Sequence, residues 1–326
     1  MAVLLVTGGA GYIGSHTCQA LLDAGHQPVV FDNFSTGHRK LLVTQEVVEG
    51  DLSRFQDIQR AFEIYPVEAV IHFASHCYVG ESYQNPYKYY HDNLCNALHL
   101  LEAMKQSGVR KIIFSSTCAT YGIPTEIPIP EEHPTNPINA YGHSKRCIEW
   151  MLEDYRYAHG FEFIALRYFN ASGADPHGRL GECHNPETHL IPRIFLATTG
   201  KIPALEIYGE DYPTADGTCI RDYIHVTDLA SAHLAALHHL LSQGVSGWYN
   251  LGTGNGYSVR QILREAERIM GQKIPVYFGP RRLGDPPALL AKSSKAAQEL
   301  HWTPCYSTLP IILETAWRWF QKTSDD

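Results

Sequence analysis

Tyr141 and Lys145 stand four residues apart in "NAYGHSK", where a helix is expected to begin. One helical turn puts positions i and i+4 on the same face, so this phenol and this ammonium can share one small volume. The apolar run upstream ends in "FSST", which brings the hydroxyls of Ser115 and Thr117 toward the same place. Such groups suit removal of a proton from an alcohol while the carbon beneath it gives hydride to a cofactor. A free phenol titrates near about 10, so a base working around pH 7 must be pulled down by about three pH units, roughly 4 kcal/mol. One adjacent cation supplies about one to three. Lys145 alone is therefore marginal, and an oxidised nicotinamide is the natural second positive charge. The competing structural reading is a packing tyrosine, a solvated lysine and a strand-end threonine. What decides between the two is whether a cofactor site is built beside them.

Directly after the first apolar run, "TGGAGYIGSH" places Gly8, Gly11 and Gly14 at three-residue intervals. Glycines there permit a tight turn, close approach of a pyrophosphate and tight packing of helix on strand. The helix that opens at Tyr12 and Ile13 offers free amides and a positive dipole end to phosphates. The second run ends at Asp32, about twenty residues on, where an acid receives ribose hydroxyls and repels the extra phosphate of NADP. NAD is the cofactor expected. Other strand ends should line the same crevice: Asp51 and Leu52, then Phe73, Ala74 and Ser75, then Ser115 and Thr117. Asp51 could equally cap the helix that follows it.

The elements that must position these residues are legible as alternation. "VLLVT", "PVVFD", "EVVEGD", "EAVIHFA", "RKIIFSST" and "FIALRYF" alternate with amphipathic segments, a pattern that predicts right-handed βαβ units and a parallel sheet covered on both faces. The fold class expected is α/β, a Rossmann-like doubly wound parallel sheet with a smaller α/β substrate-binding lobe. The helix starting near Tyr141 carries Ile148, Met151, Leu152 and Tyr155 on one face and closes at Gly160. From Phe169 the periodicity weakens into long polar loops, and a second lobe begins. "HVTDLASAHLAALHHLL" and "GWYNLG" then read as a helix and strand of the first sheet. The nucleotide-binding lobe is thus expected in 1–168 plus about 219–251, and the substrate lobe in about 169–218 plus 252–326.

A chain of 326 residues with 44% hydrophobic content is long enough for two such lobes. Its net charge of −8, with no basic run, excludes bulk attraction to nucleic acid or an anionic membrane. Any anionic ligand must meet a few placed cations. Eight cysteines lack the short spacing of zinc or dithiol sites, so no metal is expected and a cytoplasmic location fits. The 18 histidines, several clustered as in "HLAALHH", read as solvated helix faces.

Together, "TGGAGYIGSH", "DNFSTG", "VGES", "FSST", the Tyr141/Lys145 pair, "LRYFNASGADP", "DYPTADGTCIRDYIHVTDLA", "YNLGTG" and "PRRLGDPPA" resemble the UDP-glucose (UDP-galactose) 4-epimerase family, within the extended short-chain dehydrogenase/reductases. The resemblance covers essentially the whole chain. It implies that Asp32, Asn33, Ser35, Thr36 and Gly37 border the adenosine half of NAD, and that Asn93, Ser115, Tyr168 and Phe169 complete the cofactor wall. It implies that Arg221 and Arg282 meet the diphosphate of a UDP-sugar, with Asn170, His189, Leu190, Tyr208, Asp285 and Leu289 completing that pocket. It also implies a homodimer formed through a helix bundle. The reaction implied is 4-epimerisation through a transient 4-keto sugar, with Tyr141, Lys145 and Thr117 catalytic.

The chain departs from the family's commoner pattern at Thr117, often serine, and at Cys77, lysine in some members. Leu289 is intermediate between the tyrosine of strict hexose enzymes and the small residues of those accepting N-acetyl sugars. Epimerases of UDP-arabinose and UDP-xylose share every catalytic residue. A 4,6-dehydratase would need an acid pair where this chain has Cys118 and Ala119. A non-catalytic NAD sensor would have no reason to keep Thr117, Tyr141, Lys145 and both arginines.

Overall fold

The protein is described here by a computed structural model covering residues 1–282 and 284–324. Strands β1 (Val3–Thr7), β2 (Gln27–Asp32), β3 (Val47–Glu49), β4 (Ala69–His72), β5 (Lys111–Thr117) and β6 (Glu162–Tyr168) follow the expected alternation. They precede β7 (Asn170–Ser172), β8 (Leu205–Tyr208), β9 (Ile220–His225), β10 (Gly247–Leu251), β11 (Gly256–Ser258), β12 (Val276–Gly279) and β13 (Ala288–Leu289). The helices are α1 (Tyr12–Asp23), α2 (Phe55–Ile64), α3 (Val79–Gln84), α4 (Pro86–Lys88), then a π-helical stretch Tyr89–Cys95 running into α5 (Asn96–Gln106). After them come α6 (Ala140–His159), α7 (Leu190–Thr198), α8 (Val226–Gln243), α9 (Val259–Met270), α10 (Ser294–Glu299) and α11 (Leu309–Ser324).

Seven parallel strands form the main sheet in the order β10-β6-β5-β4-β1-β2-β3. Chain order reverses between β1 and β4, which opens a crevice at the carboxyl ends of those strands. Both faces are buried, because alternate side chains of each strand point to opposite sides. Leu4, Val6, Ile71 and Ile113 join Leu229 and Leu237 of α8 on one face. Leu5, Val70, Ile112 and Phe114 join Leu100 of α5 and Ile148 of α6 on the other.

A smaller sheet has the order β11-β9-β13, with β7 also paired to β9. Strands β8 and β12 make a separate parallel pair. Its core joins Ile194 and Phe195 of α7, Ile207 of β8, Ile262 of α9 and Ile312 of α11. The stretch 219–251 is divided between the two: α8 and β10 pack with the large sheet, while β9 hydrogen-bonds to β7, β11 and β13. Among the described residues no helix is long and apolar enough to cross a membrane.

Helix α6 begins because Asn139 Oδ1 accepts the Gly142 amide at 2.8 Å, and it ends in left-handed Gly160. Its placement on the sheet depends on Glu149, which is fully buried. Glu149 Oε1 accepts from Ser116 Oγ of β5 at 2.6 Å and from Arg167 Nε of β6 at 2.8 Å. Its Oε2 accepts from Arg167 at 2.7 Å and from Arg146 at 2.9 Å. Removing one partner of such a buried pair strands the other charge in a low dielectric. Glu149→Ala is therefore expected to lower unfolding stability by about 3–5 kcal/mol in urea denaturation. A loss below about 1 kcal/mol, the worth of an exposed pair, would mean that the network anchors nothing.

Candidate active site

At the crevice, β1 hands over to α1 through the glycine turn. A Cβ on Gly14 would lie 2.2 Å from the Gly8 carbonyl oxygen, so only glycine lets the helix approach the turn this closely. Gly11 occupies the N-cap and has no side chain to close the helix, leaving its first amides for a ligand. Asp32 ends β2 in the neighbouring position, only 7% exposed. Its Oδ2 accepts the Ala10 amide at 3.0 Å and its Oδ1 the Phe34 amide at 2.9 Å. Burial pushes the Asp32 pKa up, and these amides restrain it. Gly37 keeps the loop against that carboxylate, since a Cβ there would sit 2.9 Å from Oδ1.

Asn33 donates to Asp51 Oδ2 at 2.9 Å, and Asp51 Oδ1 accepts the Ser53 amide at 2.8 Å. Asp51 therefore does not cap α2, whose N-cap is Arg54. Leu52 is buried in the core behind it, and Ser35 and Thr36 lie exposed on the rim. This glycine cradle, free helix terminus and strand-end acid fit a dinucleotide.

Further along the crevice, Thr117, Tyr141 and Lys145 are all buried. Thr117, whose Oγ1 accepts the Ala119 amide at 3.1 Å, borders the Tyr141 phenol. Burial pushes the Tyr141 pKa well above its usual value, and the Thr117 hydroxyl opposes this. Lys145 shares the helix face but bonds elsewhere: Nζ donates to Ser75 Oγ and to the Ser115 carbonyl, both at 2.7 Å, and lies 4.8 Å from the Phe114 ring centre. Burial lowers the Lys145 pKa to about 7. The ammonium thus sits at the ends of β4 and β5, where Phe73 and Ala74 follow His72 and their amides bond to the Thr7 carbonyl. Without ligand, the phenol is protonated.

Ser115 shares a hydrogen bond with the Tyr168 hydroxyl. Phe169 packs with Tyr121, Ile129, Ala291 and Leu289, linking the strand end to β13. Asn93 is a clamp: Oδ1 accepts the His76 amide at 2.8 Å, and Nδ2 donates to the His76 carbonyl at 3.0 Å and to Ser144 Oγ at 3.2 Å.

In the smaller lobe, Arg221 of β9 is ion-paired with Asp285 and lies in register with Leu289 of β13. It does not pair with its neighbour Asp222, whose carboxylate accepts the amides of Thr253, Gly254 and Ala291. The Arg282 guanidinium stacks 3.9 Å from the Tyr208 ring centre. Asn170, His189 and Leu190 line one cavity with Tyr223 and Glu182. The His189 side chain bonds to Glu182 at 2.7 Å and to Glu187 at 3.1 Å.

Two features escaped the sequence reading. Glu149 and Arg167 hold the helix that carries Tyr141 and Lys145; the available signal was a charge inside the apolar run "FIALRYF" and an acid one turn beyond Lys145. His233, in the cluster read as a solvated face, is fully buried. Its ring lies 4.7 Å from Phe73 and 6.2 Å from Tyr168, Nδ1 donates to the Leu229 carbonyl at 2.8 Å, and burial lowers its pKa to about 4. It backs the cofactor crevice because α8 packs on that face of the sheet.

The comparisons agree with this geometry. A UDP-glucose 4-epimerase from Halalkalibacterium halodurans is 47% identical over 319 residues, covering 98% of this chain and 96% of that protein. The crystal structure of UDP-glucose 4-epimerase from Brucella ovis in complex with NAD superposes with a TM-score of 0.95 at 50% identity, covering 98% of this chain and 99% of the other. A UDP-glucose 4-epimerase from Stenotrophomonas maltophila, with bound NAD and formylated UDP-arabinopyranose, has a TM-score of 0.96 at 35% identity, covering 100% and 99%. The NAD dependent epimerase/dehydratase family matches residues 4–252. A doubly wound sheet with its dinucleotide cradle intact, and relatives alike from end to end, lead to one conclusion: the chain belongs to the NAD dependent epimerase/dehydratase family.

Proposed function

We propose that this chain is an isomerase that interconverts UDP-glucose and UDP-galactose at C4 of the sugar. The observation that carries the proposal is the burial of Tyr141 and Lys145 on one face of α6 beside Thr117 at the end of β5, facing the same crevice as the glycine turn. The nucleotide lobe is 1–168 together with α8 and β10, and the smaller sheet, β9 included, with the helices around it binds the UDP-sugar. NAD, held by the Gly8–Gly11–Gly14 turn and Asp32, supplies the acceptor and donor of hydride, so no net redox results.

The residues of the chain supply the proton chemistry and the grip. Tyr141 takes the proton of the O4 hydroxyl, and the neighbouring Thr117 hydroxyl steadies it. Burial holds that phenol neutral in the ligand-free protein, so positive charge must enter the site before it can act. Lys145, tied to Ser75 and the Ser115 carbonyl, holds the ribose side of the cofactor and contributes its charge from there. Arg221 and Arg282 grip the diphosphate while the sugar turns between them and the crevice, Arg221 exchanging part of its Asp285 pairing for phosphate. Leu289 leaves the C2 side of the pocket open to more than one sugar.

The exposed aromatic and apolar residues Tyr90, Leu98, Trp150 and Tyr157, on the π-helical stretch, α5 and α6, support a homodimer through those helices.

The protein, with no cofactor added, is expected to convert UDP-galactose to UDP-glucose, and Tyr141→Phe to lose about 10²–10⁴-fold in rate. Conversion of UDP-arabinose alone would transfer the reading to a pentose epimerase, and a Tyr141→Phe enzyme as fast as the parent would remove the base. For Lys145, the folded pKa of about 7 lies below the unfolded value of 10.5, so between them the unfolded chain binds a proton that the folded chain lacks. Stability of the NAD-free protein therefore gains from Lys145 as pH rises through that window, and the gain is absent below it. Urea midpoints should climb more steeply between about pH 7 and 9 in the parent than in Lys145→Met; equal slopes would contradict the assigned burial. In sedimentation velocity the parent should run as a dimer and Trp150→Glu as a monomer, whereas a monomeric parent would dismiss the helix-bundle interface.

A further inference from the structure

Between β7 and α7 the chain reads "ECHNPETH", and this loop folds four side chains onto one point. His184 Nδ1 lies 2.9 Å from Glu182 Oε1 and 3.8 Å from Glu187 Oε2. His189 Nδ1 lies 2.7 Å from the same Glu182 oxygen and 3.1 Å from Glu187 Oε1. One nitrogen or oxygen from each of the four falls within 4.8 Å of all the others. Both imidazoles turn the same ring nitrogen inward, their ring centres 5.1 Å apart. Ordinary surface ion pairs do not converge in this way: each long side chain finds its own partner and keeps its head in water.

The surroundings restrict the loop further. Tyr12, the first residue of α1, sets its ring edge-on to His184 at 6.3 Å. Tyr78 approaches His184 at 6.1 Å and His189 at 6.2 Å, and its hydroxyl donates to the Pro186 carbonyl at 3.4 Å. The side chains of Glu182 and Glu187 keep 9% and 11% exposure. Two carboxylates and two imidazoles form a compact donor set walled by two aromatic rings from other segments, with His189 on its solvent side.

We propose that Glu182, His184, Glu187 and His189 form a binding site for a divalent transition-metal ion of the zinc class. In a tetrahedral site with bonds of about 2.0–2.1 Å, neighbouring donors stand about 3.4 Å apart. The separations found here bracket that value, so small side-chain rotations bring all four donors into range. Two imidazole nitrogens with two carboxylate oxygens favour zinc, cobalt or nickel over calcium and magnesium, which prefer all-oxygen sets of higher number. The ion would fasten the 182–189 loop beside the glycine turn, joining the substrate lobe to the nucleotide lobe at Tyr12. The inference rests on this loop, which also gives His189 to the cavity beside Asn170 and Leu190, and metal binding is therefore read without substrate.

The test uses the full-length NAD-loaded protein, stripped with a chelator and then equilibrated with Co²⁺ alone or Zn²⁺ alone, without substrate. One Co²⁺ per chain is expected, with the intense visible bands of four-coordinate cobalt, displaced by Zn²⁺ and retained in excess Mg²⁺. His184→Gln and Glu187→Gln should each weaken Zn²⁺ binding by about 100-fold or more, beyond what loss of an outer hydrogen-bond partner costs a metal site. Circular dichroism checks that both variants fold. If either does not, the cobalt spectrum of the parent decides. Weak six-coordinate bands, no stoichiometric binding, or binding of unchanged strength in both folded variants would overturn the proposal.

Discussion

The buried Glu149 carboxylate is the constraint on which the active-site geometry depends. Tyr141, Lys145 and Glu149 follow one another at four-residue intervals, so one helix face presents a phenol, an ammonium and a carboxylate to the sheet. Burying that face is costly, because each polar head loses water. The cost is offset by partners fixed on β5, β6 and the loop after β4: Ser116 and Arg167 for Glu149, and Ser75 and the Ser115 carbonyl for Lys145. The helix is thereby held in register with β5 and β6. Gly142 completes the fit, since a Cβ there would lie 2.6 Å from the Ala119 carbonyl oxygen that the helix start abuts.

The same burial governs the electrostatics. It drives the Tyr141 phenol toward its neutral form and the Lys145 ammonium toward loss of its proton, so the ligand-free site stores little charge. On the proposed reading, a phenol in this state becomes a base only when the cationic ring of the oxidised cofactor stands beside it. Arg221 is held in reserve in a similar way, its charge balanced by Asp285 until a phosphate competes for it. Ligand occupancy and base strength are then coupled through desolvation, with no moving part required.

Sequence and structure agree where the signals are local. Each βαβ unit shows in its own periodicity, the glycine turn and Asp32 stand at fixed offsets along the chain, and Tyr141 with Lys145 needs only one helical turn. What stayed hidden depends on distant pairing. Arg167 and Glu149 are 18 residues apart and Arg221 and Asp285 64, and no local pattern links them. His233 looked solvated because its neighbours His238 and His239 are polar too, yet the helix stripe at that position faces Phe73. The stretch from about 219 was expected in the nucleotide lobe with α8 and β10, whereas β9 at its start has its edges taken by β7, β11 and β13. Asn93 was expected on the cofactor wall by resemblance, and its bonds to the His76 backbone after β4 carried no signal in the sequence.

The central claim is that the hydrogen on C4 leaves the sugar, stays within one closed site and returns to the opposite face. The most direct measurement uses UDP-galactose labelled with deuterium at C4, incubated with the protein in ordinary water. UDP-glucose carrying the full label at C4 is the predicted product. Loss of deuterium to solvent in step with conversion would contradict the claim, because it would mean that the carbon gives up a proton rather than a hydride.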